Sequence, residues 1–263
     1  MINIILDIFE GIKSIKFQTY IVFLELKLRY RRSIIGPFWI TLSTGILIGS
    51  IGLIFSQIFN LQNNYYFLHF SVGMILWLFI SSVITESCNI FVENERIIKN
   101  EVQNYFKILI KNILKNLIIF SHNFLIVPIV FFLFSTKVSI IQIICFLIGM
   151  LLLILILIGI QVILSIFATR FRDFMMIITS LLQVVYFVSP ILWMPELLTG
   201  KKKFLILEFN PIYHLLEITR APLIKVNYFN FESFYICILF VIGVWIFALI
   251  LYSKYKNKII YWI

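Results

Sequence analysis

Long apolar runs broken by short polar stretches dominate this chain. Six of them approach the ~20 residues that a helix needs to cross a bilayer. They cover positions 37–59, 67–85, 117–134, 138–168, 174–193 and 234–252. The fourth is too long for one perpendicular span and too short for two, so it reads as one helix that tilts or projects beyond the membrane. Gly36-Pro37 marks a break just before the first run. Upstream of it, Phe17, Tyr20, Ile21, Leu24 and Leu28 share one helical face, and Gln18, Glu25, Arg29 and Arg32 share another. That pattern predicts a helix lying in the membrane interface. A second amphipathic stretch spans 93–112, with Ile98, Val102, Tyr105 and Leu109 at helical spacing among Glu93, Glu95, Lys99 and Glu101. Between the fifth and sixth runs, segments 204–209 and 212–224 are apolar but too short to span, and Pro211 suits a helix start. Such segments lie in the interface or dip in and return, buried against other helices.

Composition sharpens the class. Hydrophobic residues make up 62% and charged residues 13%, against about a quarter charged in a soluble domain. No stretch is polar enough to build a water-facing domain, so the fold expected is all-α, with six transmembrane helices. The formal charge of +10 does not point to nucleic acid, because the basic residues cluster at the ends of apolar runs, where they fix orientation. Of the 22 Lys and Arg residues, 16 fall on the side that holds both termini, which should be the cytoplasmic side. Lys201, Lys202 and Lys203 run against that trend from a long loop. Cys88, Cys145 and Cys237 have neither metal nor redox spacing. The first ten residues are apolar but carry Asp7 and Glu10 and no basic leader, so a cleavable signal peptide is not expected.

Candidate chemistry is sparse. In the first run Gly45, Gly49 and Gly52, flanked by Thr41 and Ser56, form a small-residue face. It suits either close packing within the chain or a mobile, dimerising seam. Glu86, Ser121, His122 and Asn123 sit toward run ends. No ionisable partner is expected at matching depth, which argues against an ion-coupled carrier for a small solute. No glycine-rich loop followed by Lys-Ser or Lys-Thr is present to cradle nucleotide phosphates, and His69, His122 and His214 are scattered. The expectation is a chain that is not an enzyme and has no cofactor of its own. Trp39, Tyr186, Phe187 and Trp193 belong either to interfacial belts or to a conduit wall. Arg29, Arg31 and Arg32 are either orientation signals or a grip for the diphosphate of a lipid-linked substrate.

Several of these segments, in order, resemble one family. Leu28-Arg29-Tyr30-Arg31-Arg32-Ser33-Ile34-Ile35-Gly36-Pro37-Phe38-Trp39 is similar to the entry to the first span in permeases of ABC-2-type polysaccharide exporters. Phe91-Val92-Glu93-Asn94-Glu95-Arg96-Ile97-Ile98-Lys99, Arg170-Phe171-Arg172-Asp173, Ser189-Pro190-Ile191-Leu192 and Asn210-Pro211 follow in the same order. The resemblance implies a homodimer of six-span subunits in the bacterial cytoplasmic (inner) membrane. Two copies of a separate ABC ATPase subunit, which bind the ATP and Mg, would drive it. The cargo implied is a lipid-linked glycan of the O-antigen, capsule or teichoic-acid type. It further implies a coupling helix that docks on the ATPase, drawing on Glu93, Asn94, Glu95, Ile98, Lys99, Val102, Tyr105 and Leu109, with Arg170, Arg172 and Asp173 nearby. The loop after the fifth span would hold re-entrant gate helices, although its lysine run is more basic than the family pattern. A permease of the same type for a drug or lipid, and a membrane-embedded anchoring subunit, are the other readings.

Overall fold

A computed structural model describes residues 2–58, 63–100, 104–134, 137–198, 200, 204–224 and 229–263. The described residues are helical, with no strand among them. Two N-terminal helices, α1 (Ile2–Lys13) and α2 (Ile15–Arg29), precede α3 (Phe38–Ile58) and α4 (Asn63–Glu93). Next come the short α5 (Glu95–Asn100), α6 (Tyr105–Phe124), α7 (Ile126–Leu133) and α8 (Ile140–Arg170). The chain ends with α9 (Phe174–Val188), α10 (Pro211–Ile224), α11 (Phe231–Tyr255) and α12 (Ile259–Trp262).

Among the described residues, five stretches are long and apolar enough to cross a membrane: Phe38–Ile58, Tyr65–Glu93, Tyr105–Leu133, Ile140–Arg170 and Phe231–Trp262. The fifth run gives a shorter helix of 15 residues, about 22 Å at 1.5 Å per residue. It stops where Ser189 turns extended ahead of Pro190, because the residue before a proline is steered out of helical geometry.

Local chemistry fixes the boundaries. Gly36 adopts φ +63 ahead of Pro37, a left-handed turn open to glycine, and lets the chain pivot from α2 into α3. Pro128 lacks the N–H that would bond to Phe124, and the helix breaks there into α6 and α7. Ser139 and Gln142 form a reciprocal cap at the start of α8, and the Asn230 side chain accepts from Ser233 N at 3.1 Å to start α11.

Helix α4 is the centre, with 78% of its spanning window buried against 17% for α3 and for α11. It packs between α8 and α6. Glycines let backbones close up around it. A Cβ on Gly159 would meet Val244 of α11 at 2.6 Å, and one on Gly149 would meet the Ile218 carbonyl of α10 at 2.3 Å. The predicted amphipathic stretch forms a helix as α2, although Gln18 of its expected polar face turns inward. Gln18, Val22 and Leu26 face inward onto α6, while Phe17, Tyr20, Leu24 and Leu28 lie exposed. Helix α1 repeats the arrangement, exposing Ile5, Leu6, Phe9 and Ile12, and the sequence reading did not anticipate it.

Candidate functional site

One end of the bundle gathers the segments expected to meet an ATPase, although not with the face expected. After Glu93 the chain turns at Asn94, whose side chain donates to Ile90 O at 2.7 Å, and restarts as α5. Ile98, Tyr105 and Leu109 do not form an outward face. Each is buried, in a cluster with Phe91, Phe106, Ile166 and Tyr252. The physical reason is the interruption: Ile98 belongs to α5 and the other two to α6, so a single helical period does not run through them. Each helix turns its own apolar side inward. Val102 lies outside the described residues. What the end of α4 shows outward is Val92 and Glu93, and what α5 shows is Arg96, Ile97, Lys99 and Asn100.

Glu95 and Lys99 pair at 2.6 Å on the surface. The hydrogen bond and charge of Lys99 hold the Glu95 carboxyl below its usual range, with smaller help from Arg172 and Arg96. Arg170 lies over the Trp262 ring at 5.5 Å, and Asp173 precedes α9 with no side-chain cap bond. Both terminal segments reach the same end. Asp7 of α1 accepts from Tyr252 Oη at 3.0 Å and pairs with Lys256. Asn104 donates to Asp7 O at 2.6 Å while accepting from Phe106 N at 3.0 Å.

Two polar groupings inside the bundle correct the expectation of an uncharged interior. Glu86 of α4 has an ionisable partner: Lys115 Nζ lies at 2.8 Å and Asn116 donates to the same carboxylate at 2.6 Å. This pair neutralises itself and ties α4 to α6. Toward the other end, α10 is buried from Tyr213 to Leu223, including Glu217 and a fully buried Arg220. One Arg220 guanidinium nitrogen donates to Pro190 O at 2.7 Å. His69 approaches Pro190 O and Trp193 O at 3.2 Å each, and Tyr66 donates to Leu192 O at 2.8 Å. Side chains from α4 and α10 thus pin the extended segment after α9. The sequence held a signal for this in Glu217 and Arg220, one turn apart within an apolar stretch. Residues 201–203, the unexpected lysine run, lie outside the described residues.

The remaining candidates sort by face. Gly52 packs inside the chain, since a Cβ there would meet the Phe67 ring at 2.8 Å. A Cβ on Gly49 would meet nothing within 4 Å, and one on Gly45 only Ile126 at 3.9 Å. Helix α3 buries Thr44, Ile48, Gly52 and Ser56. Roughly opposite that face, at 3.6 residues per turn, Trp39, Ser43, Ser50 and Gln57 are exposed. Helix α9 buries no residue at all; Thr179, Ser180, Gln183 and Phe187 are exposed on it. Tyr186 instead packs inward on Trp77, ring centroids 5.6 Å apart, and Trp193 Nε1 donates to Phe187 O at 3.0 Å. Hydroxyls of Ser43, Ser50 and Thr179 bond back to their own helices, so lipid would tolerate them. The amides of Gln57 and Gln183 are a poorer match for hydrocarbon.

The family model described as "ABC-2 type transporter" matches residues 19–224. That range runs from α2 through α10. A search of curated proteins finds no match.

Proposed function

The chain belongs to the ABC-2 type transporter family, a membrane permease of the kind that works with an ABC ATPase, and from that premise we propose a specific exporter. Two copies of the chain, with two ATPase subunits, move a lipid-linked polysaccharide out of the bacterial cytoplasm across the inner membrane. ATP and its Mg are bound by the ATPase subunits, and this chain supplies the path. Helix α9 with the extended residues after it makes the sixth crossing, α10 is re-entrant, and both termini face the cytoplasm.

One observation carries the reading. Trp39, Ser43, Ser50 and Gln57 form a stripe along α3, and Thr179, Ser180, Gln183 and Phe187 form one along α9, on faces left exposed by the described residues. The amides of Gln57 and Gln183 are poorly matched to lipid, and each stripe, with its hydroxyls and one ring, is suited to a sugar chain, which presents apolar ring faces and hydroxyls together. Pairing two copies encloses those stripes and leaves Gly45 and Gly49 at the seam. At the basic end, Val92, Arg96, Ile97, Lys99 and Arg172 form the surface that meets the ATPase. The exposed Arg29 and Arg32 meet the lipid diphosphate, where a planar guanidinium can engage two oxygens together.

The test is export in cells. Deleting the protein should strip the glycan from the surface and retain its lipid-linked form inside. Wild type should restore it, whereas Ser50→Trp or Gln183→Trp, which fill the path, should not, although each still co-purifies with the ATPase. Surface glycan that is unchanged by the deletion would refute the polysaccharide assignment.

A further inference from the structure

Between α2, the start of α3 and α6 lies a groove of about 460 Å³, within the ~300–1,000 Å³ typical of ligand sites. Its walls include Phe23, Leu24, Pro37, Ile40, Ile118 and Ile119. Its polar lining is Tyr20, Lys27, Tyr30, Arg31 and His122, and no acidic residue lines it. An apolar trough with two cations and two tyrosines has the chemistry of one amphiphile: an acyl chain beneath an anionic phosphate head. Tyrosines are at home at headgroup depth, and basic residues there attract anionic lipid.

We propose that this groove holds a resident anionic phospholipid, which fills the gap between α2 and the bundle, and that Lys27 and Arg31 select its headgroup. Charge complementarity names the occupant. A second argument separates it from cargo. On α3 the groove is lined by Pro37 and Ile40. At 100° per residue, Ile40 lies about 80° around α3 from the centre of the stripe of Ser43, Ser50 and Gln57. A molecule in the groove therefore sits off the face assigned to the conduit. His122 fits a fixed wall: its Nδ1 lies 2.8 Å from Ile118 O and its carbonyl accepts from Thr41 at 2.9 Å. The packing of α2 explains why a filler is needed. Gln18, Val22 and Leu26 cover α6, but Tyr20, Phe23 and Leu24 around the helix remain exposed.

Spin-labelled phosphatidylglycerol and phosphatidylcholine, each added to the purified full-length protein in vesicles, measure the selectivity directly. The parent should hold phosphatidylglycerol in preference. Lys27→Gln with Arg31→Gln should erase that preference, roughly fivefold per cation and about 25-fold for the pair. Lys13→Gln with Lys16→Gln, an equal charge loss on exposed positions outside the groove, should retain it. Equal losses in the two double variants would reduce the effect to diffuse surface charge and overturn the proposal. So would no preference in the parent, or displacement of the labelled lipid by a polyprenyl diphosphate, which would give the groove to cargo. None of these readouts depends on export, so the site stands or falls separately from the transport assignment.

Discussion

Replacing Gly149 by alanine tests whether α10 is seated directly on α8. The new Cβ would stand 2.3 Å from the Ile218 carbonyl oxygen, 2.9 Å from its carbon and 3.3 Å from Thr219 Cα. All three are backbone atoms, so no side-chain rotation relieves the clash. Restoring ordinary contact requires α10 to move by about 1 Å. Overpacking of this kind costs about 1–3 kcal/mol, and the better helix propensity of alanine offsets up to ~1 kcal/mol. The net loss is on the order of 1–2 kcal/mol, or roughly 2–8 °C in unfolding temperature for a chain of this length. Gly243→Ala on α11 is the control, because its Cβ meets nothing within 4 Å; propensity alone then raises the temperature by a few degrees at most. The assay is tryptophan fluorescence on heating the detergent-purified subunit. A Gly149→Ala protein that unfolds at or above the parent temperature would refute the direct seating of α10 on α8.

Lys115→Met should destabilise the subunit by about 1–2 kcal/mol, below the ~3–5 of a fully buried pair because the partners are 18% and 33% exposed. Adding Glu86→Gln should recover most of that loss in a double-mutant cycle, and simple additivity would show that the pair is uncoupled. Ile97→Asp, on the outward side of α5, should leave the subunit stable but lose the ATPase on co-purification. Leu109→Asp, at 0% exposure, should instead unfold the subunit; a reversed result would restore the inward residues as the docking face. In a cysteine-free background, a cysteine at Ser139 should label from outside intact cells and one at Asn100 should not. Outside labelling at Asn100 would invert the topology.

The long apolar helices were legible because twenty hydrophobic residues in a row have few other uses. The runs at 37–59, 138–168 and 234–252 end within three residues of α3, α8 and α11. The helix α2 is legible because its period is uninterrupted, but its inward face is not, since Gln18 of the expected polar side is buried with Val22 and Leu26. Counting a period across a break misled the reading at Ile98, Tyr105 and Leu109, where the turn at Asn94 and a second start at Asn104 separate the helices. The buried Glu217 and Arg220 escaped notice because α10 is too short to look like a span, and nothing local shows that α4 and α8 enclose it. The partner of Glu86 is hidden by sequence distance, because Lys115 lies on another helix.

The clasp of Asp7 with Tyr252 and Lys256 has a kinetic corollary. It joins positions 245 and 249 residues apart in sequence, among the most distant contacts this chain can make, and such contacts form late because the intervening chain must first be ordered. During synthesis the helix that carries Asp7 is made long before Tyr252 and Lys256, and its carboxylate has neither partner until they arrive. Any truncation between the two leaves the Asp7 carboxylate without both of them.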